Sequence, residues 1–231
     1  MMVKPKRTKE FIKLLDKKKC YTFSEAIELL KRVPKTKFDE TVELSFKLHV
    51  NPKEISASIR GTVSLPHGTG TVRRVAVFCK GEDEKKAKEA GADFVGSVDL
   101  MKKVSNGWCD FDVAIATPDM MRELGRLGKV LGPRGLMPNP KAGTVSTDVA
   151  KVVSEVKKGK VEFRMDKQAN IHVAIGKLSF EAQPLFENGA ELINAVEDSK
   201  PPAVKGGFIK SIFISSTMGP GLKLDSVNWR K

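Results

Sequence analysis

The sequence has 231 residues, of which 40% are hydrophobic and 30% are charged. This composition predicts a folded protein rather than a disordered chain, and the length allows two small domains, each with its own core. Lys and Arg outnumber Asp and Glu by 41 to 28, and the resulting formal charge of +13 favours a polyanionic partner without naming it.

The cysteines and the apolar runs bear on the compartment. Cys20, Cys79 and Cys109 lie far apart and without Cys/His ligand spacing, which argues against a structural zinc and against a secreted disulfide framework. No apolar run approaches the ~20 residues that cross a bilayer. The first residues are not followed by the apolar core of a signal peptide. We expect a cytoplasmic protein.

The N-terminal part predicts one short helix and then strands. Thr22 and Glu25 have the spacing of a capping box, which predicts a helix ending near residue 30. Apolar and polar residues then alternate over 42–50 and again over 55–59. Strict alternation is typical of a strand with one face in water.

The middle of the chain has a different pattern. Residues 75–79 and 113–116 are continuous apolar runs, which are typical of parallel strands covered on both faces. Thr117-Pro118-Asp119 offers a cap, a first-turn proline and an acid, and predicts a helix start. We predict a doubly wound α/β layer, entered after residues 64–70 and left near residues 157–160. The helical patterns between the two strands cover residues 82–90 and 98–104.

The C-terminal third returns to alternation. Residues 161–165 and 171–175 alternate on either side of a turn, which predicts a β-hairpin. A helix around 185–196, a strand over 208–215 and a Gly/Pro turn into 222–224 follow. The two outer parts together predict an α+β domain with a half-exposed antiparallel sheet.

A Gly- and Pro-rich segment, Gly132 to Thr144, is the first of three candidate functional segments. It carries the basic residues Arg134 and Lys141. A long ordered loop in a compact domain is often functional, but a plain connector is an equally good interpretation. The segment is not a phosphate-binding P-loop, because the GxxxxGK[ST] spacing is missing.

The other two segments flank predicted strands. Ser215 to Gly221 offers hydroxyls, a thioether and glycines that suit contacts to ribose and base planes, although a simple turn is the commoner case. Thr36 to Thr41 could present Lys37 and Thr41 to a partner. The blander interpretation is a solvated strand entry with Phe38 tucked into the core.

Seven stretches of this sequence together resemble the bacterial large-subunit ribosomal protein L-one family over essentially the whole chain. So many matches in the right order are highly specific. The matching stretches are residues 37–43, 60–68, 91–93, 116–119, 132–145, 162–167 without residue 165, and 216–220.

The resemblance implies a fold and a set of partners. The fold is α/β and α+β with two domains: a split α+β domain made from both termini, and an inserted Rossmann-like three-layer α/β domain. With our boundaries the split domain covers 1–66 and 160–231, and the inserted domain covers 67–159. The implied partners are large-subunit ribosomal RNA, tRNA at the ribosomal exit site and the protein's own messenger RNA, whose translation it would repress. We expect a monomer off the ribosome, with no cofactor, no metal and no membrane partner.

The resemblance also implies an RNA surface on the split domain. Lys37, Arg164 and Lys167 would neutralise phosphates, Thr217 and the Gly219 backbone would hydrogen-bond the sugar edge, and Phe38 and Met218 would supply apolar contact. The implied RNA-binding set is Lys37, Phe38, Thr41, Arg164, Lys167, Ser211, Thr217, Met218 and Gly219. A second, weaker RNA or tRNA contact would use Arg134 and Lys141.

Two positions depart from the family's pattern. Thr71 stands where the family usually has a lysine, which removes one basic contact expected near the domain junction. Ala169 stands where a glycine is common in the turn before Asn170, and this leaves the turn type open, because alanine tolerates positive φ poorly.

Two rival classes find little support in the sequence. A doubly wound domain often hosts enzymes, but GxGxxG, Walker and GxSxG motifs are missing, and His49, His67 and His172 have no recognisable nucleophile partner. Asp110 and Asp112 could suggest a metal pair, although solvated loop acids are commoner. A membrane-surface protein would need a basic helix with an aromatic face, and only 6% of residues are aromatic.

Overall fold

The computed structural model describes residues 19–32, 36–50, 59–202, 204 and 206–225. They form two compact units. The split unit combines the residues up to Gly70 with those from Phe163 onward, and the inserted unit runs from Thr71 to Glu162. Our sequence-based boundaries were placed at 66/67 and 159/160. The alternation predicted at Ile55 and Ala57 lies outside the described residues.

The secondary structure can be given in chain order. The helices are α1 (Phe23–Arg32), α2 (Glu82–Glu89), α3 (Val98–Ser105), α4 (Pro118–Leu124), α5 (Gly128–Leu131), α6 (Val149–Lys158) and α7 (Ala182–Asp198). The strands are β1 (Thr41–Leu48), β2 (Arg60–Ser64), β3 (Val75–Phe78), β4 (Phe94–Gly96), β5 (Val113–Ala116), β6 (Lys160–Arg164), β7 (Asn170–Lys177), β8 (Ile209–Ser216) and β9 (Leu222–Leu224).

The split unit is built on a four-stranded antiparallel sheet with the order β7-β1-β8-β9. Burial alternates along β1, where Leu44 and Phe46 are buried and Ser45 between them is partly exposed. Because successive side chains of a strand point to opposite faces, one face of the sheet is core and the other is wet. We call the wet face the open face.

Helices α1 and α7 cover the core side of this sheet. The capping box is confirmed: Glu25 N–H donates to Thr22 Oγ1 (3.3 Å) and Thr22 N–H donates to Glu25 Oε2 (3.2 Å). Phe23, the first residue of α1, meets Phe186 edge to face with ring centroids 5.4 Å apart. The two helices pack closely, since a Cβ built at Gly189 would lie 2.2 Å from the Phe23 ring.

The inserted unit has a three-stranded parallel sheet with the order β4-β3-β5. All four residues of β3 are buried, because helices pack on both faces. Ala76 and Phe78 face a core shared with α3, α4 and α5, while Val75 and Val77 face α2 and α6. The two-domain fold class, with a split α+β part and a three-layer α/β part, is confirmed. Strand β4 was not predicted from the sequence.

The predicted hairpin between residues 161–165 and 171–175 is wrong. Both segments are strands, but β6 pairs with β2 in a separate two-stranded sheet, while β7 pairs with β1. Only the turn closes locally, through Asp166 N–H to Asn170 O (2.8 Å). Met165 N–H already donates to Ile59 O (2.8 Å), so the chain changes sheets at the turn.

Candidate nucleic-acid interface

The turn Ser216–Pro220, at the end of β8, is fixed from below by a buried carboxylate. Glu40 is 1% exposed, and its Oε2 accepts hydrogen bonds from Ser216 Oγ (2.6 Å) and from Met218 N–H (3.2 Å). Gly219 N–H donates to Ser216 O (3.0 Å) and closes the turn. Charge-assisted hydrogen bonds in a buried setting hold a backbone rigidly. Glu40 therefore sets the shape that this turn presents to solvent.

Thr41 and Thr217 tie the start of β1 to the same turn. Thr41 N–H donates to Thr217 Oγ1 (3.0 Å), and Thr217 N–H donates to Thr41 O (3.0 Å). The Thr217 hydroxyl also lies 3.3 Å from Thr41 O, which can accept its proton. Thr41 Oγ1 accepts from Lys177 Nζ (2.9 Å). Both hydroxyls thus hold the interface in shape, and each oxygen keeps a lone pair for a ligand.

Two large apolar side chains project into solvent beside this turn. Met218 is 58% exposed and Phe38 is 54% exposed. The alternative interpretation, with Phe38 in the core, is therefore wrong. Gly219 lies so close to Ser216 that a Cβ would stand 2.2 Å from Ser216 Oγ. Exposed apolar groups on a fixed turn favour contact with a partner, since isolated folding gives no reason to hold them there.

Arg164 and Lys167 lie at the opposite end of the sheet. Both are exposed, and they flank the turn that precedes β7. Asp166 holds this turn: its Oδ1 accepts from the N–H groups of Gln168 (2.8 Å) and Asn170 (2.7 Å). Desolvation raises the pKa of Asp166, but hydrogen bonds from Asn170 and Gln168 outweigh it and leave that pKa below its ordinary value.

The predicted site residues therefore form two groups rather than one. Thr41 begins β1, and Lys47, six residues further on, pairs with Ser211 and Asn170. At ~3.3 Å per residue the two ends are ~20 Å apart. The first group comprises Lys37, Phe38, Thr41, Thr217, Met218 and Gly219. The second comprises Arg164, Lys167 and Ser211.

The open face spans the distance between the two groups. Its central row consists of His172 on β7, Ser45 on β1, Phe213 on β8 and Lys223 on β9, which are paired across the sheet. Ser45 Oγ lies 3.0 Å from His172 Nδ1. A groove of about 350 Å³ is lined by Ser45, Phe46, Lys47, Asn170, His172, Ser211 and Phe213.

Our sequence interpretation did not assign the residues of this row to the site. The alternating pattern of β1 and β7 indicated which side chains reach water. What the pattern could not show is which strands are neighbours, because β7, β1 and β8 are far apart in the sequence. The row can be recognised only when the order of the strands in the sheet is known.

The loop Gly132 to Thr144 belongs to the inserted unit and is ordered by its own hydrogen bonds. Leu136 N–H donates to Leu131 O (3.0 Å), and Asn139 N–H donates to Thr144 Oγ1 (2.8 Å). Leu136 also packs against the core on the α3 side of the sheet. Arg134 is exposed at the tip, while the side chain of Lys141 lies outside the described residues. The loop thus presents its basic tip from a fixed frame.

The acids before β5 are structural. Arg74 Nη1 and Nη2 contact Asp110 (3.2 Å) and Asp112 (3.4 Å), so the metal pair suggested by their spacing is not what they form. A hydrogen bond from the Arg74 backbone, followed by smaller contributions from its guanidinium, lowers the pKa of Asp112. Within the described ranges, no group of three or more His, Cys, Asp and Glu could hold a metal ion.

Two side chains of types that serve in catalysis, His67 and Cys79, have structural surroundings. His67 Nε2 lies 2.5 Å from Glu187 Oε2, and Cys79 is buried. Burial raises the pKa of the Cys79 thiol to about 11, so it stays protonated at neutral pH. Among the helices that the structure describes, none has the length and apolarity to span a bilayer.

Comparison with known proteins adds independent information. The family model described as "Ribosomal protein L1p/L10e family" matches residues 29–220. The large ribosomal subunit protein uL1 of Protochlamydia amoebophila (strain UWE25) is 55% identical over 220 residues, covering 95% of this chain and 93% of the relative. The protein of the same name from Kosmotoga olearia is 54% identical over 224 residues, covering 96% of this chain and 97% of the relative. The chain therefore belongs to the ribosomal protein L1p/L10e family.

Proposed function

We propose that this protein binds a folded segment of large-subunit ribosomal RNA across the open face of the split unit, from the Met218 turn at one end to Arg164 and Lys167 at the other. The observation that carries the proposal is the rigid, solvent-facing turn Ser216–Pro220. Its apolar tip is 58% exposed, yet a buried carboxylate holds its backbone in place.

Family membership itself identifies the class of protein to which the chain belongs. The chain is a ribosomal protein, a structural rather than an enzymatic class, and its place is on the ribosome in the cytoplasm. Both relatives are named as proteins of the large subunit. The residues that bind RNA, and the RNA that they bind, are our proposal.

Each group of residues has a distinct task in the proposed complex. Lys37, Arg164 and Lys167 neutralise phosphates, and the Gly219 backbone approaches the sugar edge where no Cβ stands in the way. Thr41, Ser211 and Thr217 offer hydroxyl oxygens to 2′-hydroxyl groups, while Phe38 and Met218 make apolar contact with base or ribose.

The spacing of the two groups selects the kind of RNA. Basic residues near both ends of strands that span ~20 Å suit an RNA whose phosphates are already held at fixed separations. A flexible single strand would lose conformational freedom on binding, which costs free energy. A folded RNA is already ordered before it binds and avoids that cost. The surface therefore favours structured RNA, recognised by shape together with 2′-hydroxyl and phosphate contacts.

Met218→Ala tests the proposed surface. The variant should bind a folded large-subunit ribosomal RNA fragment about 1–3 kcal/mol more weakly than the parent, the scale of one specific contact. Titration calorimetry measures the affinity, and thermal unfolding checks stability, which should not change because the side chain is mostly in solvent. The matched control is Val72→Ala, an apolar residue 93% exposed in the inserted unit. Equal affinities for Met218→Ala and the parent would remove this turn from the site.

Co-sedimentation tests the ribosomal part of the proposal. The parent should pellet with large subunits at low salt and be released progressively as salt is raised, because phosphate contacts are screened. Subunits stripped of this protein should rebind the parent better than Met218→Ala. A parent protein that stays in the supernatant at low salt would contradict the proposal.

We further propose two finer activities, both suggested by the family resemblance. The protein assists the release of deacylated tRNA from the exit site, with Arg134 and Lys141 as a second RNA or tRNA contact. It also represses its own translation through a messenger site shaped like the ribosomal one. Arg134→Gln should slow tRNA release in a translation assay, while Met218→Ala should relieve repression of a reporter that carries the protein's own leader.

A further inference from the structure

We infer that Phe213 is a stacking platform for one unpaired base of the bound RNA, so that the open face reads a nucleotide in its middle and does not merely support contacts at its two ends. This inference rests on the proposed function, because it assumes that RNA crosses this face. It adds a base-binding site that the family resemblance does not assign.

The position of Phe213 sets it apart from the core aromatics. It lies in β8, a central strand, and is 38% exposed, while its neighbours Ile212 and Ile214 are almost fully buried on the other face. The sheet pairs it with Ser45 on one side and Lys223 on the other. A large aromatic ring in the middle of a wet sheet face exposes apolar area that folding alone would favour burying.

The groups around the ring suit a nucleobase. Ser45 Oγ and His172 Nδ1 share one hydrogen bond of 3.0 Å, and the other ring nitrogen of His172, Nε2, can meet a base edge. Lys47 stands one row away, with its Nζ donating to Gln168 O (2.5 Å), and Ser211 pairs with Lys47 across the strands. A flat ring flanked by donors and acceptors reads a base by stacking and by hydrogen bonds to its edge.

Size and charge agree with the same ligand. The groove that Phe213 lines has a volume of about 350 Å³, within the range of small-ligand sites. Near Phe213, the rows of the open face carry Lys47 and Lys223 against the single carboxylate of Glu43 among the described residues. This balance favours a polyanion over an acidic or neutral protein surface.

The direct test compares two substitutions of Phe213, one that removes the aromatic ring and one that keeps it. Phe213→Ser should weaken binding of the full chain to a folded large-subunit ribosomal RNA fragment about 5- to 150-fold, the range found when one base-stacking aromatic is removed. Phe213→Tyr keeps the ring and should bind within about twofold of the parent. Val72→Ser is the matched control for replacing an exposed apolar side chain and should have no effect.

A spectroscopic arm distinguishes stacking from simple apolar packing. Phe213→Trp adds an indole at the proposed platform, and the emission that this variant has beyond the parent should be quenched when the RNA is added. If Phe213→Ser binds like the parent, or if the added indole is not quenched, the platform is wrong. If an acidic protein quenched the indole emission more strongly than the RNA does, the proposed base platform would also be wrong.

The outcomes separate this inference from the proposed function. If Met218→Ala weakens RNA binding and Phe213→Ser does not, the RNA surface stands and the base platform fails. If neither variant binds more weakly than the parent, the proposed surface fails with it.

Discussion

The four-stranded sheet of the split unit and the three-stranded sheet of the inserted unit differ in how many of their faces are buried. In the split unit β1 alternates between buried and exposed residues, whereas all four residues of β3 in the inserted unit are buried. An antiparallel sheet needs helices on one face only, while a parallel sheet connected by helical crossovers is covered on both. The split unit therefore has a free sheet surface, and the inserted unit has none.

The formal charge is also unequal between the two units. The split unit holds 24 basic and 15 acidic residues, and the inserted unit holds 17 and 13. The excess of the split unit comes from residues outside the described ranges, because its described residues comprise 12 basic and 12 acidic side chains. A partner of the inserted unit can be reached only from loops and helix surfaces, such as the tip of the Gly132 to Thr144 loop. The type of sheet therefore limits which surfaces of each unit a ligand can reach.

The largest expected effect is the salt dependence of RNA binding. If the open face neutralises ~6–10 phosphates, affinity should fall about 10³- to 10⁵-fold between roughly 50 and 200 mM salt. Lys37→Gln and Lys167→Gln should each lower the slope of log affinity against log salt by about 1. The control pair is Lys85→Gln and Lys88→Gln on α2 of the inserted unit, both exposed. Equal slope changes in the two pairs would contradict the proposal that RNA binds the split unit rather than the inserted unit.

A smaller effect is expected for Gly219→Ala, and Gly221→Ala in the same turn region is its control. A Cβ at Gly219 would lie 2.2 Å from Ser216 Oγ, whereas a Cβ at Gly221 meets nothing within 4 Å. Gly219→Ala must displace the Ser216 hydroxyl from Glu40, and we expect it to cost about 1–3 kcal/mol of unfolding free energy. Gly221→Ala should be close to neutral. Urea titration of both variants measures the difference, and equal stabilities would mean that the Glu40 anchor is not rigid.

The smallest effect is expected at Ala169, which has a φ of 59° in the turn before β7 and is buried. Ala169→Gly relieves about 1–2 kcal/mol of left-handed strain, but it removes a buried methyl worth ~0.8 kcal/mol and adds backbone freedom worth ~0.5–1 kcal/mol. These terms nearly cancel, so stability should change by less than about 1 kcal/mol. Ala174→Gly within β7 has no strain to relieve and should destabilise more. The reverse order in thermal unfolding would contradict the left-handed turn.

Features encoded in consecutive residues could be predicted from the sequence. The Thr22/Glu25 capping box and the two strand types follow from local periodicity, because each depends on neighbours along the chain. Features that depend on distant partners could not. The hairpin prediction failed because β6 and β7 each pair with a strand far away in the sequence, and no local pattern indicates which partner a strand takes.

The candidate site divides in the same way. The turn with Met218 was identifiable from its residues, whereas the role of Glu40 was not, because an acid before a strand usually lies in solvent. Here Glu40 is buried, and it accepts a hydrogen bond from Ser216, which lies 176 residues later in the sequence. Strand β4 was missed for a simpler reason: three residues are too few to show a period.

Chemical modification of lysines, mapped by mass spectrometry with and without a bound folded ribosomal RNA fragment, tests the central claim most directly. All four lysines compared, Lys37 and Lys167 in the split unit and Lys85 and Lys88 in the inserted unit, are exposed in the free protein. Binding across the open face should protect Lys37 and Lys167 together and leave Lys85 and Lys88 reactive. Protection of the α2 lysines with Lys37 and Lys167 still reactive would contradict the account.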